Sequence, residues 1–120
     1  MYKFSLCKNN SKYHNRKTIL DGIEFDSVKE AERYSILKLL LKCGEICDLK
    51  LQPKFILQEA FNKNGKHFKA ITYSADFQYF DKKKNMTIVE DVKGVGTDVF
   101  KLKLKLFEYK FPDLELTLIK

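Results

Sequence analysis

Residues 71–79 alternate strictly between apolar and polar side chains, and this period of two restricts the possible structures of the chain more than any other feature. The polar members are Thr72, Ser74, Asp76 and Gln78, and the apolar members are Ile71, Tyr73, Ala75, Phe77 and Tyr79. Because successive side chains of a β-strand point to opposite faces, the pattern predicts one strand over residues 69–80 with an apolar face. Asp76 is then expected on the opposite, polar face.

Two further strand-like runs lie on either side of this strand along the chain, at residues 49–60 and 86–92. The segments that separate the runs, residues 62–65 and 81–85, are short and contain turn-forming residues. The three runs are therefore expected to be antiparallel neighbours.

The clearest helix is predicted over residues 27–43. Ser27 and Glu30 have the spacing of a capping box, and Gly44 follows the last helical position. Ahead of this helix, residues 18–25 are interpreted as a strand or a turn, because the Asp21-Gly22 pair is typical of a hairpin.

A second helix is predicted from its cap at Thr97 to about Lys110, and a last strand follows at residues 114–119. A strand that follows a helical crossover usually lies parallel to the strand before the crossover. The last strand is therefore expected to pair in parallel with residues 86–92. The sequence predicts an α/β (α+β) fold with the element order αβββαβ, in which helices flank a central mixed sheet.

The chain length of 120 residues suits one domain, predicted over residues 18–120 after a basic arm at residues 1–17. The 23 Lys and Arg against 16 Asp and Glu give a net charge of +7, which favours polyanionic partners such as DNA. The candidate DNA contacts are Arg16 and Lys17 in the arm and Lys101 and Lys105 on the second helix. Plain solubilising charge is the alternative interpretation of the two helical lysines.

The cysteines and histidines point away from several other classes of protein. Cys7, Cys43 and Cys47 are odd in number, and their spacing fits neither a disulfide framework nor a four-ligand zinc site. His14 and His67 do not lie in a ligand cluster. Since the amino-terminal segment has no long apolar stretch, we expect no signal peptide, no membrane association and a cytoplasmic protein.

Two carboxylates and a lysine have a spacing that suits metal-assisted hydrolysis of a phosphodiester. This reaction needs a hard cation, an activated water and a group that steers or deprotonates the water. Asp91 and Lys93 are two residues apart on a strand and share a face, and Asp76 can converge with Asp91 if the register allows. The backbone carbonyl of Val92 offers a further oxygen ligand, and such donors suit Mg²⁺ or Mn²⁺.

Two sequence segments resemble the signature of the PD-(D/E)XK nuclease superfamily. They are Tyr73-Ser74-Ala75-Asp76-Phe77 and Val89-Glu90-Asp91-Val92-Lys93-Gly94. Ala75 stands where the signature has a proline. Residues 25–34, 51–55 and 90–94 are similar, more closely, to a family of small phage and prophage nucleases that resemble Holliday junction resolvases. The resemblance extends from about Thr18 to the end and implies a restriction endonuclease-like core.

The resemblance also implies roles for individual residues. Asp76 and Asp91 would be metal ligands with the Val92 carbonyl, Lys93 would position the water, and Glu30 would bind the metal directly or through water. Lys103 matches a position where related nucleases often place a polar residue that faces the active site. It also falls inside the apolar arc of the second helix, which was predicted from Val99, Phe100, Leu106 and Phe107.

The implied function is a magnesium- or manganese-dependent DNA endonuclease, structure-specific for branched DNA, that acts as a homodimer in phage DNA processing inside a bacterial host. Symmetric cleavage of two strands requires two active sites, which is why a two-fold dimer is expected.

Each candidate residue also has an ordinary structural interpretation. Glu30 can serve only as the capping-box partner of Ser27, and Asp76 can be a solvated strand carboxylate. Asp91 and Lys93 can form a surface ion pair, and Lys103 can extend past its apolar neighbours to solvent. Glu90 is a rival to Asp91, although the shared face with Lys93 favours Asp91.

Two other functions are compatible with the sequence. One is a catalytically inactive DNA-binding module, an accessory or inhibitory phage protein on a nuclease fold. The other is a basic protein that binds other proteins and has no DNA affinity.

Overall fold

A computed structural model describes residues 5–7, 17–92 and 96–120 of the chain. These residues form a mixed α/β structure that is mostly strand and contains two helices. The chain divides into two compact units, Met1–Ile46 and Cys47–Lys120. No helix in the described part of the chain is long and apolar enough to cross a membrane.

The first unit contains an antiparallel sheet with the strand order β1-β2-β3. The strands are β1 (Ser5–Cys7), β2 (Lys17–Leu20) and β3 (Ile23–Phe25). Asp21 and Gly22 connect β2 to β3 with φ of 54° and 74°, so the predicted hairpin at this pair is confirmed. Ser5–Cys7 form a strand within the predicted arm, and most of that arm, including Arg16, lies outside the described residues.

Helix α1 (Val28–Lys42) completes the first unit and confirms the first predicted helix. Ser27 caps it, because its Oγ accepts the Glu30 N–H at 3.1 Å. Gly44 follows the C-cap Cys43, and its φ of 79° is in the left-handed region. The buried side of α1 consists of Ala31, Tyr34 and Leu37, and the Tyr34 ring lies 5.1 Å from that of Phe25.

The second unit is built from eight strands and one helix within its described residues. In chain order they are β4 (Ile46–Leu51), β5 (Lys54–Gln58), β6 (Phe61–Lys63), β7 (Lys66–Phe68), β8 (Ile71–Ser74), β9 (Phe77–Asp81), β10 (Met86–Val92), α2 (Asp98–Lys110) and β11 (Leu114–Ile119). Strand β4 begins at Ile46, the last residue of the first unit. A four-stranded sheet has the order β11-β10-β9-β4, and β5-β8 and β6-β7 form two separate pairs.

The four-stranded sheet is mixed, as predicted. β9 and β10 are antiparallel, and β11 returns after α2 to lie parallel to β10, with Val92 opposite Ile119. The bounds of β10 and β11 coincide with the predicted strands. Thr97 caps α2, since its Oγ1 accepts the Phe100 N–H at 3.0 Å, which confirms the second predicted helix.

The strands between the two helices differ from the prediction of three runs. Residues 49–60 and 69–80 were each predicted as one strand, but each is divided, into β4 and β5 and into β8 and β9. The hairpin β6–β7 is additional, with Asn64 and Gly65 at its turn. The described structure therefore has seven strands between the helices rather than three.

The core of the second unit lies between α2 and the strands β5, β8 and β10. Its buried members are Leu57, Tyr73, Ala75, Val89 and Phe107. Phe107 is the centre of an aromatic group, because its ring lies 5.0 Å from Phe55, 5.7 Å from Tyr73 and 5.2 Å from Phe111. This packing fixes the Tyr73 ring on the side of β10 that faces α2.

Candidate active site

The break between β8 and β9 is where the backbone changes partners. Ala75 donates its N–H to the Pro53 carbonyl at 3.1 Å, beside β5, whereas the Asp76 N–H bonds the Glu90 carbonyl of β10 at 3.0 Å. The Asp76 carbonyl in turn accepts the Gln52 N–H at 2.9 Å. Asp76 therefore lies where three chain segments meet.

The same break reverses the face to which the apolar side chains point. Tyr73 and Ala75 pack in the core with Val89. In contrast, Phe77 lies opposite Glu90, and Tyr79 opposite Ile88, in the β9–β10 pairing. Val89 points to the other face of β10 from Ile88 and Glu90, since the three residues are consecutive. The prediction of one strand with one apolar face is therefore wrong, because a strand break at Asp76 intervenes.

The Asp76 side chain continues the hydrogen bonding that the strand break interrupts. Its Oδ2 accepts the Val92 N–H at 2.6 Å, and the residue is half-buried. A carboxylate bound by a backbone N–H is held in one orientation by a strong, charge-assisted hydrogen bond. Asp76 is thus fixed at the end of β10, beside the residue that follows Asp91.

Asp91 is buried, with 1% of its surface exposed, and its Oδ2 accepts the hydroxyl proton of Tyr73. Burial raises the pKa of Tyr73 above its ordinary value near 10, and the hydrogen bond to Asp91 and the charges of Asp91 and Asp76 raise it further. The phenol therefore stays protonated as a donor. Tyr73 thus holds the Asp91 carboxylate, while the Asp76 carboxylate bonds the N–H of Val92, the next residue along β10.

Glu90 lies on the other face of β10. It is as deeply buried as Asp91, and its Oε2 accepts the hydroxyl proton of Tyr79. Adjacent residues of a strand point to opposite faces, so Glu90 and Asp91 belong to different environments. Lys93, whose shared face with Asp91 favoured the aspartate, lies outside the described residues, as do Gly94 and Val95.

The remaining candidates, Glu30 and Lys103, are on the two helices. Glu30 is in the first turn of α1, in the first unit, where its N–H completes the Ser27 cap. Lys103 is half-buried on the side of α2 that also carries Phe100 and Phe107, as predicted. Val99, which was included in that apolar arc, is 64% exposed, so its inclusion was wrong.

The candidate DNA contacts that the structure describes are on the surface. Lys101 and Lys105 are both exposed on α2. Lys17 begins β2 and forms an ion pair with Glu24 at 3.3 Å between Nζ and Oε1, and both side chains are about half exposed. An exposed pair of this kind contributes little to stability.

The predicted metal ligands would suit a hard divalent cation. They are the carboxylates of Asp76 and Asp91 and the Val92 carbonyl, all of which are oxygen donors. Within the part of the chain that the structure describes, three or more His, Cys, Asp or Glu residues do not gather into a metal-binding group. A magnesium ion held by one or two carboxylates and several waters does not need such a group.

Sequence reasoning missed Tyr73 and Tyr79 as polar partners of the buried acids. Both were counted only as apolar members of the alternation. The available signal was their hydroxyl group, because a buried tyrosine usually has a hydrogen-bond partner, whereas phenylalanine needs none.

Comparison with known proteins assigns most of the chain to a family. A family model described as "Protein of unknown function (DUF1064)" matches residues 10–120. No curated protein and no solved structure gives a significant match.

Proposed function

The chain belongs to the DUF1064 family of proteins of unknown function, and we propose that it is a metal-dependent endonuclease that hydrolyses DNA phosphodiester bonds. The observation that carries this proposal is the pair of hydrogen bonds that fix the Asp76 carboxylate to the Val92 N–H, next to Asp91, and the Asp91 carboxylate to the Tyr73 hydroxyl. Asp76 comes from the break between β8 and β9 and Asp91 from β10, and their sequence positions resemble the PD-(D/E)XK signature.

Asp76, Asp91 and the Val92 carbonyl would hold the divalent cation, which offsets charge on the phosphate and makes a bound water more acidic. Tyr73 keeps the Asp91 carboxylate in one orientation through its hydrogen bond. The Val92 N–H does the same for Asp76. Fixing both acids before substrate binds avoids reorganisation during the reaction.

Lys93 is the proposed water-positioning group, by its place in the sequence two residues after Asp91. An ammonium group can orient the attacking water or offset negative charge that develops on the phosphate. Glu30 is the proposed additional acid, and Lys103 a further polar group of the site. These three assignments rest on the resemblance of the motif.

The connectivity of β9, β10, α2 and β11 supports a restriction endonuclease-like core. An antiparallel pair is followed by a helical crossover and a parallel strand, in the order that the resemblance implies. DNA processing for a phage or prophage in the bacterial cytoplasm, with branched DNA as substrate, is the part of the proposal that rests on the resemblance alone.

The outer side of α2 supports the proposed homodimer. Val99 and Leu102 are 64% and 59% exposed, and Tyr109 is more exposed still. Leu102 and Tyr109 lie on the side of the helix opposite Phe107, and Val99 is at the edge of that side. If this row pairs with its symmetry copy, Leu102→Glu will convert the dimer to a monomer in size-exclusion chromatography with light scattering, and Leu39→Glu on α1 will leave the dimer intact.

The deciding experiment compares cleavage of linear and branched DNAs in the presence of Mg²⁺. Asp76→Asn, Asp91→Asn and Lys93→Ala are each expected to lower the cleavage rate by about 100-fold or more, as loss of a catalytic group typically does. Glu90→Gln is the matched control, since Glu90 is equally buried and adjacent in sequence but on the other face. It should keep most of the activity.

Two results would contradict the nuclease proposal. One is salt-sensitive DNA binding by the wild-type protein without cleavage in Mg²⁺ or Mn²⁺, which would favour the inactive DNA-binding module. The other is the absence of DNA binding even at low salt, which would favour a protein-binding role.

A further inference from the structure

The hairpin β6–β7 projects two aromatic rings and several lysines into solvent. Every residue from 61 to 69 is exposed, and in the described structure β6 and β7 pair only with each other. Asn64 and Gly65, with φ of 51° and 73°, form its turn. An isolated hairpin of two short strands gains little stability from its own backbone bonds. Its side chains must therefore account for its presence.

One face of the hairpin combines the rings with two ammonium groups. Phe61 is directly opposite Phe68, and Lys63 directly opposite Lys66. Because side chains alternate along a strand, all four lie on the same face. The two rings are stacked, with centroids 4.7 Å apart and planes 10° apart, and Lys66 Nζ lies 5.2 Å from the Phe68 centroid.

Two features of this face are unfavourable for the isolated protein. Phe61 and Phe68 remain 42% and 37% exposed, although each ring covers one side of the other. Lysines directly opposite each other across a strand pair repel. Residues 61–69 contain Lys63, Lys66 and Lys69 but no acidic residue that would offset the repulsion. A polyanion that carries flat apolar groups would relieve both.

We propose that this face of the β6–β7 hairpin binds nucleic acid with unpaired bases, which stack on the outer sides of Phe61 and Phe68 while Lys63 and Lys66 contact the flanking phosphates. Unpaired bases fit the site because their flat surfaces are accessible, whereas the bases of an intact duplex are stacked on each other. The four residues of this binding site are not among the candidate metal ligands, and binding there does not depend on cleavage.

Binding is tested first by fluorescence anisotropy in EDTA, so that metal-dependent cleavage does not interfere. The probes are a labelled single-stranded oligonucleotide and an abasic strand of equal length. Phe61→Leu/Phe68→Leu keeps the hairpin apolar but removes the aromatic surfaces, and it should raise Kd for the oligonucleotide by about tenfold or more. The Kd for the abasic strand should stay unchanged.

The charge contribution has its own matched control. Lys63→Gln/Lys66→Gln should raise Kd for both probes. Lys82→Gln/Lys83→Gln removes the same charge from the exposed turn between β9 and β10 and should have a clearly smaller effect. The proposal would be overturned if the two lysine variants lost affinity equally. It would also be overturned if the aromatic variant lost affinity equally for the oligonucleotide and the abasic strand.

A change in fluorescence that reports base stacking directly tests the proposal without relying on loss of binding. The chain contains no tryptophan, so Phe61→Trp introduces a single indole fluorophore. Stacking on bases should quench its emission when the oligonucleotide is added, and the abasic strand should not. Ile36→Trp, at an exposed position of α1, is the control and should not be quenched. If Phe61→Trp binds the oligonucleotide without quenching, base stacking at the hairpin is refuted.

Discussion

Glu90 and Asp91 are adjacent buried acids in β10, and each accepts a hydrogen bond from a tyrosine on its own face of the strand. A carboxylate removed from water is strongly destabilising unless hydrogen bonds replace its hydration. Tyr73 donates to Asp91, and Tyr79 donates to Glu90. The two pairs are alike in burial and in chemistry, but they lie on opposite faces of β10, and Asp91 rather than Glu90 is the candidate metal ligand.

This difference between the two tyrosines gives a prediction for their phenylalanine variants. Tyr73→Phe and Tyr79→Phe each leave a buried carboxylate without one donor and should each lower the free energy of unfolding by about 1–3 kcal/mol. Only Tyr73→Phe should also lower the rate of Mg²⁺-dependent cleavage, because it frees the Asp91 carboxylate to rotate. Equal cleavage defects in both variants would show that the loss is one of stability rather than of Asp91 positioning.

The raised pKa of Tyr73 predicts a specific loss of stability at alkaline pH. The stabilisation is fully present below the ordinary pKa near 10, where the phenol is protonated in both the folded and the unfolded chain. Above that pH, the unfolded chain releases the proton while folded Tyr73 retains it, so stability falls as pH rises. The stability difference between wild type and Tyr73→Phe, measured by urea unfolding, should therefore shrink above pH 10. A constant difference would contradict the raised pKa.

At the scale of elements, the sequence correctly predicted the helices and the turn whose ends are set by residues close together in the chain. The Ser27 and Thr97 caps and the Asp21-Gly22 turn are local chemistry, and all three occur as predicted. The breaks at Gln52 and Asp76 were missed because they depend on which strand the backbone meets. Gln52, the residue after β4, has a φ of 51°, outside the β region. Pro53 was a usable signal of that first break.

In the candidate site, too, the features set by local sequence were predicted and those set by tertiary contacts were not. Asp76 and Asp91 were predicted from motif spacing, and in the structure the Asp76 carboxylate bonds the N–H of Val92, next to Asp91. Their tyrosine partner was not, because the alternating pattern records only that Tyr73 is apolar enough to be buried. The burial of Asp91 was also unexpected, since an aspartate near the end of a strand is usually solvated.

Helix α2 is attached to its unit chiefly through Phe107, which is fully buried and contacts Phe55, Tyr73 and Phe111. Phe107→Ala should lower the free energy of unfolding by about 3–5 kcal/mol, since the cavity removes packing from both the helix and the strands. Leu39→Ala, at a residue of α1 that is 60% exposed, should change it by about 0.5 kcal/mol or less. Urea unfolding monitored by circular dichroism measures both. A small effect of Phe107→Ala would mean that α2 is held by other contacts.

At the scale of the whole molecule, the net charge of +7 is carried by several separate groups of lysines. Lys63 and Lys66 belong to the hairpin, and Lys101 and Lys105 to the exposed side of α2. If DNA contacts more than one group at once, the number of phosphates neutralised is a property of the whole surface. It is measured by the dependence of affinity on salt rather than by any single Kd.

The two α2 lysines are therefore tested by the salt dependence of DNA binding. Each phosphate contact on duplex DNA contributes about −0.9 to the slope of log K against log salt concentration, so Lys101→Gln/Lys105→Gln should make the slope less steep by about 2. Anisotropy titrations in EDTA over a range of potassium chloride concentrations give the slope, and Lys82→Gln/Lys83→Gln serves as a control of equal charge. If the variant binds more weakly but with the same slope as the wild type, Lys101 and Lys105 act through the general electrostatic field of the protein. If neither the affinity nor the slope changes, the two lysines only solubilise the protein, and DNA binds elsewhere on the surface.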